Sequence, residues 1–217
     1  MPTLTTTRHD TTTRRILDAA GPVFAERGFR QATVRDICRR AHVNVAAINY
    51  YFGDKQRLYA ATLKYGAQTA LEKFPPDAGL RAGAPAEEQL LVFVQSFLRR
   101  FLEMGAPDWH GKLCARELMD PTSALDDLVH DVIVPLSRRL QDIVRALVGP
   151  AVPEERVRLA QLSIVGQCLL YHHHRPVVDR LFGPQAMTGR DVDRLARHIT
   201  EFSLGALRSI HSTKESR

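Results

Sequence analysis

The chain has 217 residues, 44% of them hydrophobic and 25% charged, enough for a sizeable core and too apolar for a disordered chain. No apolar run approaches the ~18 residues a membrane span needs, and the N-terminus carries no apolar signal segment, so neither membrane insertion nor secretion is expected. The formal charge of +6 is concentrated at one end: residues 1–65 hold 11 Lys or Arg against 5 Asp or Glu, whereas residues 66–217 hold 19 of each. A basic front joined to a neutral back points to a polyanion at the front.

Residues 1–13 read as a Thr-rich disordered tail. From Arg14 onward Ile16, Ala20, Val23 and Phe24 fall on one helical face, and Gly28 supplies the stop. Thr33-Val34-Arg35-Asp36 has the form of a capping box that opens a second helix. Val34, Ile37, Cys38 and Ala41 form its narrow apolar stripe, and Arg35, Arg39 and Arg40 face elsewhere. His42-Val43 makes a tight turn. Asn44 then caps a two-turn helix that points Ile48 and Phe52 inward and breaks at Gly53. Asp54 caps a fourth helix anchored by Leu58, Ala61, Thr62 and Tyr65, which ends by Pro75-Pro76.

Asp77–Pro85 reads as a loop. Behind it the spacing stays helical: a stripe of Leu90, Phe93, Val94, Phe97 and Phe101 closed by Gly105 and Pro107, then Trp109–Met119. Ala124–Val148 follows, with Pro135 predicted to kink it, and then Glu154–His174 and Asp191–Ile210. Strand patterns are weak throughout. The expected fold is all-α: a three-helix helix-turn-helix domain over residues 14–60, joined to a larger helical dimerisation and ligand domain over 61–212.

The short third helix carries the functional signal. A core helix hides its aromatics, yet this one displays Ala46, Ala47, Asn49, Tyr50 and Tyr51. That face suits a DNA major groove, which admits a helix. Small residues let the backbone approach and touch thymine methyls, Asn49 offers the paired donor and acceptor that match adenine, and the phenols reach base edges or phosphates. Lys55, at the start of the next helix, adds a cation beside free N–H groups.

The run TTTRRILDAAGPVFAERGFRQATVRDICRRAHVNVAAINYYFGDKQRLYAATL resembles the N-terminal domain of TetR-family transcriptional regulators. The shared features are the AA…FAERGF first helix, the TVRDI second helix and the YF-x-x-K-x-x-LY junction; His42 departs from the family's usual turn glycine. REL-x-x-PT at Arg116–Thr122 and GQC…RPVV at Gly166–Val178 are similar to the CecR-like subgroup. The resemblance implies a homodimeric repressor that binds a palindromic, double-stranded operator, with a small-molecule effector that swings the fourth helix and misplaces the two heads. It assigns base contacts to Val45, Ala46, Ala47, Asn49 and Tyr50, and phosphate contacts to Thr33, Asn44, Tyr51 and Lys55. An architectural DNA-binding protein without an effector is the alternative.

Other features carry less. Cys38, Cys114 and Cys168 are an odd number without a CxxC pair, which fits buried thiols in a reducing cytoplasm. His172-His173-His174 cannot chelate one ion together, because successive helical residues diverge by about 100°. No metal site, cofactor motif or catalytic constellation is expected, and the chain does not read as an enzyme. In the back domain Phe97, Trp109, Arg116 and Tyr171 are the expected ligand contacts, with Met104 and Met119 as further lining candidates and Arg116 as the fixed cation, paired with Glu117 or with a ligand anion. Val192, Leu195, Ile199, Phe202 and Ala206 step by 3 and 4 like a heptad seam, and Val157, Gln161, Ile164, Cys168 and Tyr171 stripe the preceding long helix. From these stripes Ile164, Cys168, Leu195, Ile199, Phe202 and Ala206 are the expected dimer contacts.

Overall fold

A computed structural model of the chain describes residues 4–102, 109–183 and 191–212, with side chains from residue 11 to residue 210 within those segments. All regular elements among the described residues are helical. Contacts divide the chain into two compact units, Met1–Ala70 with Pro107–Val132, and Leu71–Ala106 with Ile133–Arg217. These units do not follow the division at residue 60, because residues 107–132 pack with the front of the chain.

In the first unit α1 (Leu4–Gln31) buries Ile16, Ala20 and Phe24 completely. Residues 4–13, read from the sequence as a disordered tail, belong to this helix. They contain neither Pro nor Gly, and a helix nucleated further along extends cheaply through residues that do not break it. At Gly28 the backbone turns to φ 73°, a conformation that disfavours a Cβ, so the helical run breaks there as its sequence predicts. Two short helices follow, α2 (Val34–Ala41) and α3 (Val45–Phe52), and then α4 (Lys55–Lys73). Ile37, Ile48, Leu58 and Leu63 are fully buried, and the Tyr59 ring meets Phe24 edge-on at 4.9 Å.

Later in the chain α6 (His110–Met119) and α7 (Ala124–Leu128) complete this unit. Trp109, just ahead of α6, lies against backbone: a Cβ on Gly21 would sit 2.1 Å from its ring and one on Gly66 2.6 Å. Only glycine fits at either place.

The second unit contains α5 (Ala86–Leu102), α8 (Val134–Val148), α9 (Glu154–His173), α10 (Arg175–Phe182) and α11 (Val192–Ser212). Leu90, Val94, Leu140, Val144, Ala196 and Ile199 are at its centre with no solvent access. The run from 124 to 148 is helical without a gap, and its irregularity, a π turn at Val129–Ile133, lies in the turn before Pro135, which has no N–H to donate to it. A further helix, α10, begins at Arg175-Pro176, with Pro176 in its first turn.

The heptad reading of α11 is corrected in part as well. Cys168, Leu195 and Ile199 are 3%, 4% and 0% exposed and belong to the protomer's own core, because this stripe faces helices of the same unit. Ile164 is buried at the floor of a surface groove between α9 and α11. Phe202, 64% exposed, and Ala206 do face outward. All three cysteines are free and buried.

Candidate nucleic-acid interface

Three caps and one turn place α3. The Thr33 side chain accepts the Asp36 N–H at 3.1 Å and starts α2. Its hydroxyl also donates to the Asp36 carboxylate at 2.8 Å, so the box closes through side chains. His42 ends α2 in the left-handed conformation, φ 51° and ψ 47°, which histidine tolerates better than bulkier or branched residues. Asn44 then caps α3 by accepting the Ala47 N–H at 2.9 Å. Asp54 accepts the Arg57 N–H at 2.8 Å and starts α4. Each cap satisfies an otherwise orphaned donor, so both short helices have fixed ends despite their two-turn length.

With Ile48 as the inward anchor, the opposite face of α3 is left to solvent. Val45, Ala46 and Asn49 are exposed, Tyr50 is 78% exposed, and Ala47 and Tyr51 are half-buried. The Tyr50 and Tyr51 rings meet edge-on at 5.1 Å. Thr33 and Asn44 are exposed at the two helix starts. Lys55 is tied in place: its Nζ donates to the Arg30 carbonyl at 3.3 Å and lies 4.7 Å from the centre of the Phe29 ring. All nine residues predicted for DNA contact therefore lie on α3, at its cap, or at the first residues around α2 and α4.

The charge around this face is organised by Asp36, a feature the sequence reading missed. Its carboxylate accepts from Arg39 at 2.9 Å and from Arg27. Asp36 is held below the usual carboxylate value chiefly by the Thr33 hydroxyl bond; desolvation opposes this, and the Arg27 and Arg39 charges add to the lowering. One acid thus fixes two of the cations near the cap of α2.

Behind the reading face α6 ties the unit together. Arg116 donates from Nε to the Ala25 carbonyl at 2.7 Å and from Nη2 to the Glu26 carbonyl at 2.9 Å. It caps the end of α1 just before the Gly28 break, where a cation is favourable. Glu117, fully buried, accepts from the Tyr59 hydroxyl at 2.8 Å and from the Thr122 N–H and hydroxyl at 2.8 and 2.9 Å. Burial, with Glu117 beside it, pushes the Tyr59 phenol well above its ordinary value. Arg116 and Glu117 do not pair, since adjacent helical residues point in different directions.

The four residues expected to contact a ligand are divided by the fold. Trp109 and Arg116 belong to the first unit, and Arg116 is engaged by α1 carbonyls; Phe97 and Tyr171 belong to the second unit and are half-buried there. Met119 is exposed, and Met104 lies outside the described residues. Among the described residues no group of three or more potential ligands is placed to hold a metal ion, and no helix is long and apolar enough to cross a membrane.

Comparison with known proteins matches two family models. Residues 16–62 match the model for bacterial regulatory proteins of the tetR family, and residues 86–207 match the C-terminal domain of the HTH-type transcriptional dual regulator CecR. The chain is 30% identical over 167 residues to the CecR dual regulator of Shigella flexneri, an alignment that covers 73% of this chain and 74% of that one. An HTH-type transcriptional repressor of Mycobacterium tuberculosis is 34% identical over 48% of this chain and 45% of its own length. Among solved structures, a TetR-like transcriptional regulator from Rhodococcus superposes with a TM-score of 0.64 at 22% identity, covering 91% of this chain and 96% of the other. AibR, in complex with isovaleryl coenzyme A and operator DNA, superposes with a TM-score of 0.66 at 14% identity, covering 88% and 97%.

Proposed function

The chain belongs to the TetR family of DNA-binding transcriptional regulators, with a CecR-type C-terminal domain, and is not an enzyme; from that premise we propose that it is a ligand-released repressor acting as a homodimer on a palindromic operator in the cytoplasm. The observation that supports this most is the capped, two-turn α3 with an exposed face of small residues, one amide and a phenol. A surface helix with no DNA to read gains nothing from displaying Tyr50 and Asn49 beside Ala46. In this reading Asn49 and Tyr50, with Val45, Ala46 and Ala47, meet base edges, while Thr33, Asn44, Tyr51 and Lys55 hold phosphates.

A palindrome requires two heads, and the second unit offers a surface for pairing. The outward faces of α9 and α11 expose Leu159, Leu162 and Phe202, and Leu159 and Phe202 line a groove of about 360 Å³. A second copy laid on that face would bury them in a four-helix arrangement. Release then needs a ligand that prefers the conformation in which the two heads are misplaced, and linkage requires DNA to weaken ligand binding by the same factor. AibR, which shares this fold, was solved in complex with both a small molecule, isovaleryl coenzyme A, and operator DNA.

Genomic footprinting tests the reading directly. A short protected palindrome is expected, lost in Asn49→Ala by ~1–3 kcal/mol of operator affinity while nonspecific binding is retained. Lys55→Ala should weaken both kinds of binding and flatten the salt dependence. Phe202→Glu should leave a monomer with one head and little operator affinity. Broad protection without a palindrome, or a stable Phe202→Glu dimer by light scattering, would overturn the repressor or the interface respectively.

A further inference from the structure

Among the described residues, the second unit contains a buried cation without a counter-ion. Arg100, on α5, is 5% exposed. Its Nη1 donates to the Ser96 hydroxyl at 2.6 Å and to the Phe74 carbonyl at 3.2 Å, but among the described residues its buried Nη2, which carries two N–H groups, has no acceptor. The arginine beside it in sequence, Arg99, reaches Asp193 at 2.9 Å, and Arg145 pairs with Glu154 at 2.5 Å. For Arg100 the nearby titratable group is the Cys168 thiol, itself pushed up to about 12 by burial and therefore uncharged. Burial lowers Arg100 only to about 10, so it stays cationic at neutral pH.

The surroundings are aromatic on both sides. On α5 the residues at 97, 100 and 101 share a face, and on α9 those at 168, 171 and 172 do so at the same spacing. The guanidinium lies 5.5 Å from the Phe97 ring centre, Phe97 is 5.2 Å from Phe101, and Phe101 is 5.1 Å from His172. Cys168 is fully enclosed and Tyr171 half-buried. A desolvated guanidinium with an orphan N–H is strongly unfavourable, and buried charges are normally paired. A neutral acceptor would satisfy the N–H alone; a carboxylate satisfies the N–H and the charge together. One guanidinium balances the charge of a monocarboxylate, whereas a dianionic phosphate would keep an uncompensated charge in this apolar setting.

We propose that Arg100 anchors a small monocarboxylate whose apolar body lies among Phe97, Phe101 and Tyr171, where α5 meets α9, and that this is the effector site. The inference rests on the effector-release reading for its consequence at the operator, and on Arg100 alone for the binding itself.

Calorimetry and thermal-shift measurements on the full chain, without DNA, test it with phenylacetate and octanoate against their neutral amides at millimolar concentration. At least one acid should bind ~10-fold or more tighter than its amide, the scale of one charge-assisted hydrogen bond. Arg100→Met should abolish that preference, and Arg100→Lys, which keeps the charge without the planar fork, should reduce it. If Arg100→Met fails to fold, Arg100→Lys decides. The anion site is overturned if neither acid outbinds its amide in the wild type, or if either variant keeps the full preference. Operator titrations separate the two claims. Arg100-dependent binding that leaves operator affinity unchanged sinks the effector reading alone. Release by acid and amide alike sinks the anchor alone.

Discussion

Glu117 and Arg100 are charged side chains with almost no access to water, one in each compact unit, and their surroundings treat them in opposite ways. Around Glu117 three donors converge, from Tyr59 on α4 and from Thr122 after α6, so both carboxylate oxygens are satisfied. Around Arg100 the described residues supply a carbonyl, a hydroxyl and an aromatic face, and none accepts from its Nη2. A completed polar network holds its elements in one arrangement, whereas an incomplete one leaves a free-energy gain for whatever completes it. The network around Glu117 is complete as it stands; the one around Arg100 has room for an added acceptor.

The largest effect expected separates the two directly. Glu117→Ala strands the Tyr59 hydroxyl and the Thr122 N–H in the interior and leaves a cavity, a loss of about 3–5 kcal/mol in stability. Arg100→Met removes a badly compensated charge and keeps most of the side-chain volume, so it should cost less than ~1 kcal/mol or stabilise the chain. Urea denaturation of both variants is the measurement. Equal losses would mean that Arg100 is as well satisfied as Glu117, and the contrast would fall.

Glycines give a second, smaller separation. Gly21 and Gly66 admit the Trp109 ring, and Ala at either should cost about 1–3 kcal/mol by overpacking, with a shift in the emission of the chain's single tryptophan. Gly166 on α9 and Gly205 on α11 have nothing within 4 Å of an added Cβ. There Ala should leave the thermal midpoint unchanged or raise it by the ordinary helix preference of up to ~1 kcal/mol. Both lie on the proposed dimer side, so a loss of stability at either would itself report a partner backbone close by.

Much of the reading unit was legible in advance because its signals are local. Thr33, Asn44 and Asp54 cap helices within three residues of themselves, and Ile48 alternates with exposed residues inside a two-turn helix, so spacing alone locates them. What the sequence hid depends on contacts across long separations. Arg116 meets the end of α1 some ninety residues away, Trp109 meets Gly21 and Gly66, and nothing near any of them in the chain announces the partner. A heptad stripe on α11 names a buried face without saying which helix buries it. Cys168, Leu195 and Ile199 turned out to face their own protomer, leaving Phe202 and Ala206 outward. Arg100 escaped notice because it sits in an Arg-Arg pair between aromatics, and among the described residues its neighbour Arg99 finds an acid while it does not.

The smallest effect concerns Asp36, the acid that organises the basic face of the reading unit. The Thr33 hydroxyl bond, reinforced by Arg27 and Arg39, depresses its pKa in the folded chain below the ordinary value of 3.8. A depressed carboxylate contributes stability that is present above the unfolded value and disappears as pH falls through the folded one. The stability difference between wild type and Asp36→Asn should therefore be constant at neutral pH and shrink as pH falls through the ordinary carboxylate value and on through the lower folded one. Because the group is solvent-accessible, its ion pairs are screened and the amplitude should fall further with added salt. The same substitution frees Arg27 and Arg39 from their shared anchor, so operator binding should change in its salt dependence more than in its sequence preference. Glu117, enclosed and held by neutral donors, should show no such salt sensitivity when replaced. A wild-type-minus-Asp36→Asn difference that stays flat from neutral to acid pH would mean that this carboxylate does not hold the face together, and that the caps alone set its shape.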